Sequence, residues 1–516
     1  MSARRRLELA WVWVVPVLLL AVGAEMRLRQ WLGGRSLWLD EATLADSFLD
    51  HTSLQLVTTP LDGGQGAPVG WLLATRADLS AFGTDAQVLR LVPLLSGLVS
   101  LGLFWLLARQ LLPRAVVPLA VLLFVGSPSL LYYANEAKQY SSDVAVALLV
   151  LVLAVQALGR QRPRLWPLAA VGVVAVWCSH PAVFVLGGAS LVLVLAPAVR
   201  RDLREAARRA VLLLPWVLSF AASYVLVLRR LQDSTVLARY WGPTYPRGPG
   251  DLGWPVRRLL ALADNPLHWA LPGLGLLLTA YGAVLLARRD ARAAAALLAC
   301  GLVGTVAAAV RAYPLADRLA LWLVPVVLLA LAGGVPAGRG PVARAGALVV
   351  VVLLGLLVGP QLVTTAALTV HRTEVEELEP VIDQVRRERR PGDLLAVHAG
   401  AATAYRFYDH IRPGVASHLY LDLVRSGRGC SDDQRLRAAG FTRAPVWVFF
   451  SHSYRNGPDT DPAAATEQAL RGVAHVEQRI VRHGASAELF VPDASPRPRE
   501  RAGPTCLVVR LLAVPL

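Results

Sequence analysis

Three short polar stretches of this chain carry groups suited to catalysis. In "SLWLDEATLADSF", residues 36–48, Asp40 and Glu41 are adjacent carboxylates flanked by large apolar side chains. A carboxylate at a membrane–water boundary can accept a proton from an attacking hydroxyl. Neighbours on a helix diverge by about 100°, so one of the two reaches a reacting group while the other orients it or meets backbone. In "SPSLLYYANEAKQYSSD", residues 127–143, Glu136, Lys138 and Tyr140 share a short polar loop, and the ammonium of Lys138 suits a phosphate as a compact point charge. In "RAYPLADRLALWLVP", residues 311–325, Arg311 and Arg318 flank a loop. Two guanidinium groups there need an anionic reason, and a lipid phosphate is the simplest. His180, in "WCSHPAVF", and His268, after "NPL", are single histidines.

Each stretch also has a plainer reading. Asp40 is a fair N-cap for a helix over "EATLADSFLD", and an acidic first turn suits the helix dipole. Tyr132, Tyr133 and Lys138 suit interfacial anchoring. Asp317 pairs with one of the two arginines and closes a structural loop. Lone histidines near a membrane boundary are more often structural.

The elements that must hold these groups are read from composition. The chain has 516 residues, 55% of them hydrophobic and 17% charged, with a mean hydropathy of +0.49. Its apolar residues fall in blocks of about 18–25, long enough to cross a bilayer. We expect about eleven spans, near 9–29, 88–108, 115–132, 142–158, 165–179, 181–199, 210–228, 267–287, 293–310, 318–335 and 344–368. His180-Pro181 interrupts the fifth and sixth. The formal net charge of +16 does not indicate nucleic-acid binding, because the arginines sit in short loops between apolar runs rather than on one soluble face. "ARRR", Arg109 with Arg114, "GRQRPR", "RRDLREAARR", "ARRDAR" and "GRGPVAR" occupy every second loop. The positive-inside rule then puts the N-terminus in the cytoplasm and, after an odd number of spans, the C-terminus outside. The first apolar run has a basic start but no small-residue cleavage site, and is expected to stay as a signal anchor.

On this topology the three polar stretches all lie on the exoplasmic side, in a first loop at 30–87, a loop at 132–142 and a loop at 311–317. Ionisable groups at such depths are costly and mark function. A further outer loop, 229–266, is rich in Trp, Tyr, Pro and Gly. Residues 369–516 are expected to form a soluble exoplasmic α/β domain. "EVEELEPVIDQVRRERR" has helical spacing there, and "DLLAVHA", "PVWVFFSH" and "TCLVVRLL" read as buried strands. No metal-ligand spacing, glycine-rich phosphate loop or nucleophile elbow occurs in it. Cys178 and Cys300 read as small core residues. Cys430 and Cys506, the only two in the C-terminal domain, are expected to form a disulfide in an oxidising compartment.

Taken together and in order, these segments resemble the GT-C fold membrane glycosyltransferases, especially the protein O-mannosyltransferase and lipid A aminoarabinose transferase branch. In that family an Asp or Asp-Glu follows the first span, as "LWLDE" does here. Its P, L, FG, E and RL pattern is similar to "APVGWLLATRADLSAFGTDAQVLRLVPLLSG", residues 67–97. Its SP, Y and E.R.Y loop looks like "SPSLLYYANEAKQY", with Lys138 where Arg is commoner, and its late YP..R loop looks like "YPLADR", residues 313–318. The match runs over roughly residues 5–335.

The resemblance implies a mainly α polytopic fold over 1–368 and transfer of a sugar from a polyprenyl-phosphate donor to an acceptor outside the cytoplasm, in the plasma membrane. It implies Asp40 as the base with Glu41 beside it. It implies Lys138, Arg311, Tyr313 and Arg318 on the donor phosphate, with Glu136, Tyr140 and His180 as further donor or acceptor contacts. No cofactor is required by this chemistry, and nothing demands a divalent metal. The competing class is a transporter or lipid flippase, which would favour repeats with broken helices near the midplane.

Overall fold

The computed structural model describes residues 10–338, 340–370, 375–412, 418–430, 436, 441–452, 462–493 and 503–512, without the side chains of most of 418–430 and all of 503–512. Every apolar segment expected to span is helical. Among the described residues, seven helices are long and apolar enough to cross a membrane: Trp11–Leu32, Leu91–Leu111, Tyr140–Leu158, Ala182–Val199, Leu203–Gln232, Ala291–Ala309 and Pro341–Val370. The pair Val117–Val125 and Pro128–Asn135, bent by 60°, makes up to eight. The bend falls at Gly126 and Ser127, just before Pro128, which cannot continue the preceding hydrogen-bond ladder.

The other expected segments are helical but short or charged at one end. Trp166–Cys178 has 13 residues and Val324–Gly333 has 10. Pro272–Arg289 ends on two arginines. His180-Pro181 separates two distinct helices, Trp166–Cys178 and Ala182–Val199.

One apolar core runs through the bundle, from Phe104 and Phe124 through Leu148 and Leu186 to Trp322 and Leu329. Ala182–Val199 and Ala291–Ala309 approach so closely at Gly188 that a Cβ there would lie 2.4 Å from the Cys300 backbone nitrogen. Cys300 is buried in this core and Cys178 is partly buried.

The C-terminal segment builds a six-stranded mixed sheet. Its strands are β1 (Leu394–His398), β2 (His418–Cys430), β3 (Val446–Ser451), β4 (Ala474–Arg482), β5 (Ala485–Pro492) and β6 (Gly503–Leu512), in the order β4-β5-β3-β1-β2-β6. β1 is parallel to both β2 and β3, and the outer pairs are antiparallel. The expected strands become β1, β3 and β6, and the expected helix becomes Leu378–Glu388. Cys430 and Cys506 lie on the neighbouring strands β2 and β6, and their side chains are outside the described residues.

The two faces of the sheet bury different things. Ala396, Val448, Phe450, Leu470 and Phe490 form one core with the sheet's own helices and loops. On the other face, Trp447, Phe449, Tyr405, Tyr408 and Ile382 share a core with Leu37, Ala42, Leu44, Phe48 and Trp71 of the first loop. The helix Leu39–Asp50, which carries Asp40 and Glu41, is thus packed from above by the C-terminal segment.

Candidate active site

The helix Leu39–Asp50 begins seven residues after the first span. Trp38, not Asp40, is its N-cap, and Asp40 and Glu41 both lie in its first turn. The capping alternative for Asp40 therefore does not describe this helix. It is the Glu41 carboxylate that reaches back to accept the Trp38 N–H, at 3.4 Å.

Glu41 is fully buried. Arg90 forks onto it with Nε at 2.9 Å and Nη2 at 2.6 Å, the Ala137 N–H donates at 2.7 Å, and Arg35 approaches to 3.5 Å. Arg90 also donates to the carbonyls of Arg35 and Ser36, at 2.6 and 3.1 Å. Arg35 stacks over the Tyr132 ring, 4.8 Å from its centroid. Burial by itself would raise the Glu41 pKa, but the two guanidinium groups and the donated hydrogen bonds outweigh it and hold the carboxyl near 2. Glu41 thus ties the first loop, the start of Leu91–Leu111 and the loop around Ala137 into one knot. It was expected beside Asp40 as a catalytic group. A carboxylate enclosed in this way has no face left for a substrate.

Asp40 points the other way and is one-quarter exposed. Its Oδ2 lies 2.6 Å from Arg318 Nη2. Arg318 stands at the start of the 3₁₀ helix Asp317–Leu323, between the rings of Trp38 and Tyr140, 5.6 and 5.7 Å from their centroids. Arg318 therefore pairs with Asp40 rather than with Asp317. Tyr313 donates its hydroxyl to the Leu319 carbonyl at 3.1 Å, bracing the turn that presents Arg318.

Lys138 is buried and donates to Gln65. Burial lowers its pKa, and Asp40 and Glu136 only partly restore it, leaving it at about 8. Glu136 is fully buried with neither carboxylate oxygen hydrogen-bonded among the described residues. Burial, with Glu41 nearby, raises its pKa to about 7 against the pull of Arg35 and Arg318. Two buried donors beside it, Arg318 Nε and Trp38 Nε1, are equally without acceptors among the described residues. Buried polar groups without partners cost about 1–3 kcal/mol each and call for an explanation, which a bound anion or ordered water supplies.

The structure thus gathers Asp40, Glu136, Lys138, Tyr140 and Arg318 around one point, with Glu41 behind them. Three expected residues stand apart. Arg311 is exposed and donates to the Pro246 carbonyl at 2.8 Å. His180, in the turn between two helices, makes no ion pair among the described residues, and burial lowers its pKa to about 4. His268 is exposed in a loop beside Asp264. Arg35 and Arg90 were given no role from sequence, although Arg90 is the Arg of the "RL" in residues 67–97. Among the described residues, no group of three or more His, Cys, Asp or Glu side chains gathers where a metal ion would sit.

A family model for dolichyl-phosphate-mannose-protein mannosyltransferases matches residues 66–226, a segment that holds Arg90, Glu136 and Lys138. Among curated proteins, none matches the chain. Among solved structures, the apo oligosaccharyltransferase of Archaeoglobus fulgidus is 13% identical with a TM-score of 0.51, covering 95% of this chain and 76% of that one. Apo ArnT of Cupriavidus metallidurans is 14% identical with a TM-score of 0.50, covering 95% and 98%. At these identities the likeness is one of fold. The chain is a multi-pass membrane protein with the GT-C glycosyltransferase fold, a helical body and a C-terminal sheet.

Proposed function

We propose that this chain, a membrane glycosyltransferase of the GT-C fold, transfers a sugar from a polyprenyl-phosphate donor to an acceptor nucleophile, with Asp40 as base. The observation that carries the assignment of roles is the Asp40–Arg318 pair. A carboxylate with open surface stands directly on a guanidinium whose Nε is still uncommitted. Asp40 takes the proton of the acceptor O–H. The acceptor oxygen bonds to the anomeric carbon, and the bond from that carbon to the phosphate oxygen breaks, its electron pair leaving on the polyprenyl phosphate. Charge grows on the phosphate as that bond breaks, and fixed cations in a partly dry site stabilise it best. The closeness of Arg318 and Lys138 to Asp40 supports this role for both. The dolichyl-phosphate mannose of the matching family supports a polyprenyl-phosphate donor. A transporter needs charge near the midplane, whereas the exposed carboxylate here stands at one end of the bundle.

The alternation of basic loops supports a cytoplasmic N-terminus, which puts the site and the C-terminal sheet on the exoplasmic side of the plasma membrane. A reporter fused after Leu516 that works only outside the cytoplasm is then active. The sugar and the acceptor are sought by mass spectrometry of envelope glycans and glycoproteins in a deletion strain. The decisive assay is transfer from a synthetic polyprenyl-phosphate mannose to a cell-envelope extract by the purified protein. Transfer that disappears in Asp40→Asn supports the reading, and transfer at the wild-type rate in that variant overturns Asp40 as base.

A further inference from the structure

The approach to Asp40 is held from the far end of the chain. The N–H groups of residues 37, 38 and 39 are all taken by side chains. Leu37 donates to the Tyr408 hydroxyl at 2.6 Å, Trp38 to Glu41, and Leu39 to Glu376 Oε2 at 3.1 Å. Ser36 Oγ in turn accepts the Glu379 N–H at 3.3 Å. The other oxygen of Glu376 lies 2.6 Å from His452 Nδ1. The carboxylate can only accept there, so the ring proton sits on Nδ1. His452 follows β3 with a φ of +51°, a backbone state that few non-glycine residues adopt. Glu376 is itself buried. The first-turn N–H groups of a helix have no partner within it. At Leu39, the residue before Asp40, that partner comes from the C-terminal segment.

We propose that Glu376, fixed by His452, is a positioning residue for the base. It sets the first turn of Leu39–Asp50 so that Asp40 meets the acceptor proton on one side and Arg318 on the other. This rests on Asp40 being the base. The same interface contains a contact that does not bear on Asp40. Arg406 pairs with Asp46 at 3.7 Å and with Asp50, towards the other end of the helix. Loss of that contact weakens the interface without moving the first turn.

The test uses the full chain in detergent or nanodiscs, with transfer from polyprenyl-phosphate mannose and amide exchange across residues 37–42 as readouts. A base displaced by about 1 Å costs on the order of 10²-fold in rate. Glu376→Ala should therefore lower kcat by about 10–10²-fold, leave the donor KM unchanged and speed exchange at residues 37–42. Glu376→Gln, whose amide oxygen still accepts the Leu39 N–H and whose NH2 donates to Nδ1 once the His452 ring proton moves to Nε2, should restore most of kcat. Arg406→Gln should lower the melting temperature with little change in kcat. The proposal is overturned if Glu376→Ala keeps the wild-type kcat, or if kcat falls in proportion to melting temperature in both Glu376→Ala and Arg406→Gln. It is also overturned, whatever the turnover, if exchange at residues 37–42 is unchanged. Absent transfer by the wild-type protein, together with faster exchange in Glu376→Ala, would remove the functional reading and leave the clamp standing.

Discussion

Two carboxylates one residue apart end on opposite sides of the same helix turn, one enclosed by two guanidinium groups and a backbone N–H, the other half-open on a single guanidinium. The enclosed one, Glu41, has its charge fully neutralised and its geometry fixed by three separate parts of the chain. The open one, Asp40, has one direct ion pair, with Arg318, a second cation nearby in Lys138, and free surface. Burial with complete pairing makes a carboxylate a rivet. Partial exposure with one shared partner leaves it able to exchange that partner and accept a proton. An Asp-Glu dipeptide in a sequence does not reveal which member takes which part.

The sharpest way to break this contrast is to neutralise each carboxylate without changing its shape. Asp40→Asn should cut transfer by about 10²–10⁴-fold, the usual contribution of a general base. Its melting temperature should fall less than that of Glu41→Gln, because Asp40 does not cap its helix and its pair with Arg318 is partly exposed. Glu41→Gln should do the reverse and act first on stability. It leaves Arg35 and Arg90 buried without a counter-charge, which costs about 3–5 kcal/mol. It should be read as loss of monodisperse protein after detergent extraction. The pH dependence has a definite sign. The Glu41 pKa is lowered in the folded protein, so its contribution is complete above the ordinary value of 4.5 and is lost as pH falls toward 2.

Glu136 sharpens the comparison from the other direction, since it is buried like Glu41 but unpaired like neither. Its raised pKa means that the folded protein holds a proton which the unfolded chain releases above about 4.5. Its contribution to stability should therefore fall as pH rises from about 4.5 to 7 and then level off, and Glu136→Gln should reduce the slope of thermal melts over that range, leaving the share of Asp46, which burial also raises to about 7. The smallest expected effect belongs to Lys138. It loses its charge as pH rises through about 8, so the donor KM should climb above that pH, and Lys138→Arg should abolish the climb.

Much of this arrangement was legible in the sequence. Hydropathy and loop arginines marked the helical body, and Asp40, Lys138 and Arg318 were singled out because charge at a membrane edge is costly enough to need a reason. The three stretches do meet. What was hidden follows from long-range packing. Arg90, at the start of the expected span 88–108, was given no role, and only the fold shows it buried on Glu41. Glu376 gave no signal, because its partner is a backbone N–H more than 300 positions away in sequence, and His452 gave none, because it bears on that contact only through Glu376. The crossings were least legible where short helices such as Trp166–Cys178 and the bent pair at Gly126 stand in place of uniform spans. Hydropathy sees apolar length but not the bend that Pro128 imposes.

The core shared by Leu37, Ala42 and Phe48 with Tyr405, Tyr408 and Trp447 also sets an order of events during biosynthesis. Leu37 and Tyr408 are 371 positions apart. At synthesis rates of 5–20 residues per second, the ribosome needs roughly 20 to 75 s to deliver the second after the first. Through that interval the apolar face of the segment around Asp40 lacks its C-terminal cover, and the Leu37 and Leu39 N–H groups lack the partners they have in the folded chain. If Asp40 is the base proposed above, it is not assembled until the C-terminal segment has been made, and a chain that ends after Val370 should carry the described membrane helices yet be inert.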